Sequence, residues 1–174
     1  MSAIDLIILG LLIDKEMSAY ELVKYIEERH VNRFLKVSAP AVYKRCKVLA
    51  SDGYVDCLVK KEGAQPEKTI YIINSRGSGQ FYSLMDHFST SLSPFFLDWS
   101  VFIFNLGKLD KQQGLEMLRN LETGLVTLKH WIISHEAEIT SLPFSNRAIV
   151  KQYRMIIVAL NVWIEEVITE YEQI

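Results

Sequence analysis

Residues 38–55 read SAPAVYKRCKVLASDGYV, and this stretch narrows the possible folds more than any other. Ser38 stands where a helix N-cap is expected, and Pro40 falls in the first turn, where a missing N–H costs little. Val42, Cys46 and Leu49 then step at helical spacing to form an inward stripe, with Lys44, Arg45 and Lys47 off it. Gly53 sits where a C′ glycine ends a helix. The period then changes: VDCLVK, the turn-like KEGAQPEK and TIYII make two β-rich segments around a Gly/Pro loop, a hairpin by pattern.

Two helices precede this unit. Ile4, Ile7, Ile8, Leu11 and Leu12 repeat at helical spacing up to about Asp14. Ser18 and Glu21 in SAYE form a capping box that starts a second helix with Tyr20, Leu22, Val23 and Ile26 on its apolar face, ending near His30. After the hairpin, Asn74 caps a fourth helix running to about Thr90. Three helices and then a hairpin is the winged helix-turn-helix order, in which the helix after the turn enters the DNA major groove and the wing reaches flanking phosphates. Charge agrees. The chain has a formal net charge of −2, yet residues 36–76 hold 8 Lys+Arg against 4 Asp+Glu. A basic segment on an acidic protein is a local footprint for a polyanion. Lys44 and Lys47 lie on the outer face of the recognition helix, and Lys60, Lys61 and Lys68 flank the wing tip. Ser38 caps the recognition helix and is placed to meet a phosphate. Tyr43 either presents its hydroxyl to the DNA backbone or packs, and Arg45 either contacts DNA or covers the neighbouring helix with its stem.

These residues resemble the PadR-like transcriptional regulators. The resemblance runs through LIILGLL, Tyr20–Leu22, Ser38, Val42–Tyr43, Leu49, Gly53–Val55 and the stretch PEKTIYIINSRG at Pro66–Gly77, about the first half of the chain. Ala19, Ala50 and Thr69 depart from the family's usual glycine, acid and base. The long helical second half resembles the larger subgroup, which carries a C-terminal dimerisation domain. The resemblance implies a homodimer on double-stranded DNA with a palindromic site, and relatives bind phenolic or other aromatic compounds. Ala39, Pro40 and Ala41 in the leading turn can touch a thymine methyl but cannot make bidentate purine contacts, so the operator sequence stays open, as does repression against activation.

The second half has its own pattern. A helix is expected to start at Ser93–Pro94, and FFLDWSVFIFNL is apolar nearly all round. Such a helix needs enclosure, so Phe95, Phe96, Trp99, Phe102, Phe104 and Trp163 are candidates for a dimer interface or an aromatic-effector pocket. Leu115, Leu118, Leu121, Leu125, Leu128, Ile132, His135 and Ile139 form one stripe. After Pro143, the residues Ile149, Tyr153, Ile156, Leu160, Trp163, Val167 and Tyr171 step close to a heptad seam. The expected fold is mainly α with a small β-hairpin: a winged helix-turn-helix with its linking helix over 1–90, and an antiparallel helical dimerisation domain over 91–174.

Several other functions are disfavoured. His130 and His135 are five apart and do not share a helix face as a zinc pair would. Glu136, Glu138, Glu165 and Glu166 read as solvated helix faces without the companions of acid–base catalysis. Neither an enzyme, a cofactor nor a metal is expected. Cys46 and Cys57 read as buried structural thiols and suit a reducing cytoplasm. The apolar opening lacks a basic leader and is broken by Asp5, so it reads as a helix and not as a signal or a membrane span. The rival reading is a winged-helix protein-interaction module that does not bind DNA.

Overall fold

A computed structural model describes residues 2–61, 67–92, 94, 96–134 and 143–174. The chain divides into two compact units, Met1–Pro94 and Phe95–Ile174. In the first unit the order is α1 (Ala3–Asp14), β1 (Met17–Ser18), α2 (Ala19–Glu28), a 3-10 turn at Val31–Arg33, α3 (Ala39–Ser51), β2 (Val55–Lys60), β3 (Lys68–Ile73) and α4 (Ser75–Thr90). The expected hairpin is there, with Cys57 opposite Tyr71 and Lys60 opposite Lys68. It belongs to a three-stranded antiparallel sheet ordered β1-β3-β2, because Met17 and Ser18 pair with Tyr71 and Ile70. A two-residue strand carries too little pattern to be read from sequence.

Local chemistry sets the ends of these elements. The Ser18 hydroxyl accepts from the Glu21 N–H at 3.3 Å, and the Glu21 carboxylate accepts from the Ser18 N–H at 2.8 Å, the expected capping box. Gly53, at φ 76°, ends α3: its N–H bonds the Ala50 carbonyl, and the Tyr54 N–H bonds that of Leu49. Those two bonds make a Schellman turn. Asn74 starts α4 by accepting from the Gly77 N–H at 3.0 Å, while its amide donates to the Gly53 carbonyl and to Asp56. The end of α3 and the start of α4 are thereby joined. Gly77 is required there, since a Cβ would run into the Tyr54 carbonyl oxygen and lie 2.9 Å from Ile73.

Ile8, Leu9, Leu12, Leu22, Val23, Ile26, Val42, Cys46, Leu49, Val55 and Tyr71 make the core of this unit. The inward stripe of α3 is as expected. Two expectations are corrected. Tyr20 is 65% exposed, and the buried face of α2 is Ala19, Leu22, Val23 and Ile26; Tyr20 lies in the first turn, beside Ala19, which takes the inward place. Cys57 is exposed because β2 is the edge strand and only Val55 of its residues is buried.

The second unit comprises α5 (Ser100–Asn105), a 3-10 turn at Leu106–Lys108, α6 (Lys111–Ser134) and α7 (Phe144–Gln173). The helix expected from Ser93–Pro94 begins only at Ser100, after a turn at Asp98–Trp99. Helices α6 and α7 run antiparallel. Tyr171 lies over Gly114, where a Cβ would collide with its ring and hydroxyl, and Asn161 faces Leu125. The core is Leu106, Leu118, Leu125 and Ile164.

The heptad seam is also corrected. The buried line of α7 is Val150, Ile157, Asn161 and Ile164, about one residue round the helix from the expected seam. Leu160, Trp163, Val167 and Tyr171 flank that line half-buried, and Ile156 is exposed. The heptad reading failed because it skipped a polar residue: Asn161 is buried and donates to the carbonyls of Leu125 (3.2 Å) and Ile157 (2.8 Å), while its Oδ1 has no partner. In α6 the buried residues are Gly114, Leu118, Leu125 and Ile132, with Leu128 exposed; His135 and Ile139 lie outside the described residues.

The Asn161 geometry yields a prediction. Asn161→Asp would set a carboxylate against two carbonyl oxygens and should cost about 3 kcal/mol or more. Asn161→Leu removes an unsatisfied acceptor and should change stability by less than about 1 kcal/mol. Urea denaturation of both variants checks the pair; equal losses would contradict it.

Candidate nucleic-acid interface

Helix α3 presents two chemically opposite faces. Inward, Val42, Cys46 and Leu49 are buried, and burial pushes the Cys46 thiol up to about 12, which keeps it protonated and unreactive at neutral pH. Outward, Lys44 and Lys47 are exposed and form no ion pair among the described residues, and Tyr43 is exposed between the faces. Ser38 holds the N-cap position, but its hydroxyl makes no capping bond. Pro40 explains this, since at N2 it removes one of the two N–H groups that a cap serves. The Ser38 side chain is left exposed at the tip of the helix. Lys36, two residues earlier, is likewise exposed and without an ion pair among the described residues. Sequence reading passed it over because it lies in the turn; its basic charge next to the cap was the available signal.

Arg45 turns towards the neighbouring helix α1. Its Nε lies 2.6 Å and its terminal nitrogen 2.9 Å from the two oxygens of Asp5, a bidentate pair. Asp5 has no exposed surface, and its carboxylate also accepts from the N–H and hydroxyl of Ser2. The pair anchors α3 to α1 and turns the remaining basic residues of the run outward.

The wing lysines are also engaged. Lys60 lies 2.8 Å from Glu16, and Lys68 lies 2.9 Å from Glu21. Both pairs draw the base of the wing to the start of α2, the helix that packs against α3. Glu21 is held at about 2, well below the ordinary carboxylate value, first by the Ser18 N–H and then by Lys68. Lys61 is exposed at the end of β2, and the tip at 62–66 lies outside the described residues.

The aromatic candidates separate into two groups. Trp99, Phe102 and Trp163 are half-buried against the core of their own unit. Phe96 is 86% exposed, as is Phe104 to a similar degree, and Phe95 lies outside the described residues. No group of three His, Cys, Asp or Glu side chains able to hold a metal occurs among the described residues. No helix among them is long and apolar enough to cross a membrane.

The architecture is a winged helix-turn-helix followed by a helical unit, and solved structures share it over nearly the whole chain. Bacillus subtilis PadR in complex with operator DNA superposes with a TM-score of 0.79 at 17% identity, covering 98% of each chain. The Vibrio cholerae virulence activator AphA gives 0.77 at 17% identity, over 98% of this chain and 99% of its own. The same Bacillus subtilis PadR in complex with p-coumaric acid gives 0.77 at 14% identity, over 98% and 99%. The fold is that of the PadR-type regulators. No family model and no curated protein matches the chain by sequence.

Two predictions follow from this geometry. Arg45→Met leaves Asp5 charged and buried and should cost about 3–5 kcal/mol; the double variant Asp5→Leu/Arg45→Met should recover most of it in urea denaturation. For Glu21, the folded value lies below the unfolded 4.5. Its contribution is therefore present above that value and lost as the pH falls from about 4.5 towards 2. The parent's denaturation midpoint should fall more steeply across that window than that of Glu21→Gln, and parallel curves would contradict the assignment.

Proposed function

We propose that this protein is a PadR-type transcriptional regulator that binds duplex DNA through α3 and the wing. The observation that carries the reading is the outer face of α3. Lys44 and Lys47 are exposed and without ion pairs among the described residues, while the third base of the run is locked inward on Asp5. A helix that commits its one arginine, part-buried, to orientation and leaves two lysines to solvent is suited to meeting phosphates or guanine edges. The likeness to a regulator solved on operator DNA supports it. Ser38, Tyr43 and Lys36 belong to the same approach at the N-terminal half of α3, and Lys60, Lys61 and Lys68 reach the flanking backbone.

The regulator acts as a homodimer on a palindromic site. Exposed apolar residues support this: Tyr82, Met85 and Phe88 on α4, Val101 and Phe104 on α5, and Met155, Val158 and Val162 on α7. Solvent-facing apolar stripes of this kind are normally covered by a partner. A two-fold pair would set its recognition helices about 34–36 Å apart, one turn of duplex. A small aromatic effector would act by favouring one arrangement of the dimer over the other; the aromatic segment around Phe96 and Trp99, and a neighbour solved with p-coumaric acid, support a phenolic acid as the first compound to titrate.

Lys44→Ala and Lys47→Ala should each weaken binding to duplex DNA and lower the salt slope by about 0.9, with an unchanged denaturation midpoint because both side chains are exposed. Fluorescence anisotropy across a salt series, with sedimentation to confirm a dimer at micromolar concentration, checks this. Parent-like binding by both variants would remove α3 from the interface, and an absence of any duplex binding by the parent would favour a protein-interaction role.

A further inference from the structure

The base of the wing carries a charge problem and a specific solution. Lys60 and Lys68 are directly opposed across β2 and β3, the last register pair before the tip. Like charges on facing positions repel. Each ammonium is met by a carboxylate from outside the hairpin: Glu16 lies just before β1, and Glu21 lies in the first turn of α2. The four side chains are 41–44% exposed. They are therefore open to solvent and to any polyanion that reaches the wing.

The two acids are held differently. Glu21 is fixed by the N–H and hydroxyl of Ser18 as well as by Lys68, so its negative charge stays at the wing whatever binds there. Glu16 takes part in no cap or turn bond among the described residues, where its carboxylate is met by Lys60. A phosphate approaching Lys60 meets an oxygen already within hydrogen-bonding distance. An exposed pair of this kind is weak and exchangeable, which suits a competitor better than a permanent tie.

We propose that Glu16, with Glu21 beside it, competes with DNA phosphate for the wing lysines and acts as a sequence-independent brake on DNA affinity. This rests on the DNA-binding reading above. In the free protein Lys60 and Lys68 are each matched by a carboxylate, and Lys60 is more available to DNA once a phosphate displaces Glu16. Part of the counterion release that would otherwise drive binding is thereby withheld, because Lys60 already has an internal anion.

The test uses the full chain and a labelled random-sequence 30-base-pair duplex, read by anisotropy at several salt concentrations. Glu16→Gln should bind about three- to tenfold more tightly than the parent, with a salt slope steeper by about 0.9. The same substitution at Glu165, an exposed acid of the helical unit, should produce no such gain, which separates local competition from net charge. Adding Lys60→Gln to Glu16→Gln should abolish the gain. If the parent binds the duplex and Glu16→Gln binds equally or more weakly, Glu16 orients Lys60 for DNA and the brake is refuted. If Glu165→Gln matches the gain, the effect is global charge and the proposal is again refuted. If the parent binds no duplex at any salt, the DNA-binding reading itself fails, a result visible without any variant.

Discussion

The part-buried pair between Asp5 and Arg45 is the constraint on which the proposed DNA-facing surface depends. A carboxylate with no exposed surface inside an apolar helix is tolerable only when its hydrogen-bonding capacity is met. Ser2 and the fork of Arg45 meet it. The guanidinium can do so only from one rotation of α3 about its axis. That same rotation buries Val42, Cys46 and Leu49 and leaves Lys44 and Lys47 outside. The ion pair adds little net stability compared with an apolar substitute, so its value lies in orientation.

Around that fixed helix the remaining charges form a graded surface. The lysines of α3 have no ion-pair partner among the described residues, and those at the base of the wing are matched by Glu16 and Glu21. An overall charge of −2 is compatible with a polyanion-facing surface because acids and bases are segregated, with all of the excess acid beyond residue 77. The protein would approach DNA with its unpaired bases leading and its paired bases conditional.

What could be read from sequence was what the chain encodes locally. The capping box at Ser18 and Glu21, the Asn74 cap, the glycine stop at Gly53, the stripe of α3 and the hairpin each depend on residues a few positions apart, and the structure shows all of them. What escaped depends on distance. Arg45 and Asp5 are 40 residues apart, and the wing pairs span 44 and 47. The signal for Asp5 was present, since a lone acid in an apolar run needs a partner, but sequence does not say which base supplies it. Ser38 illustrates a competing rule, because Pro40 removes an N–H that its hydroxyl would have served. The seam of α7 was misplaced because a buried Asn161 is invisible to a pattern built from apolar residues.

The most direct test of the account is an amide chemical-shift map of the full chain on addition of a duplex. The account predicts that perturbations concentrate at 36–47 and at the wing, in Val59–Lys61 and Lys68–Thr69, with the start of α2 following through Glu16 and Glu21. Signals from the inward residues Asp5 and Leu49 should move little, because the ion pair holds α3 in its binding orientation before DNA arrives. A map centred on the exposed faces of α6 and α7, or large shifts across α1 that show α3 rotating on binding, would contradict it.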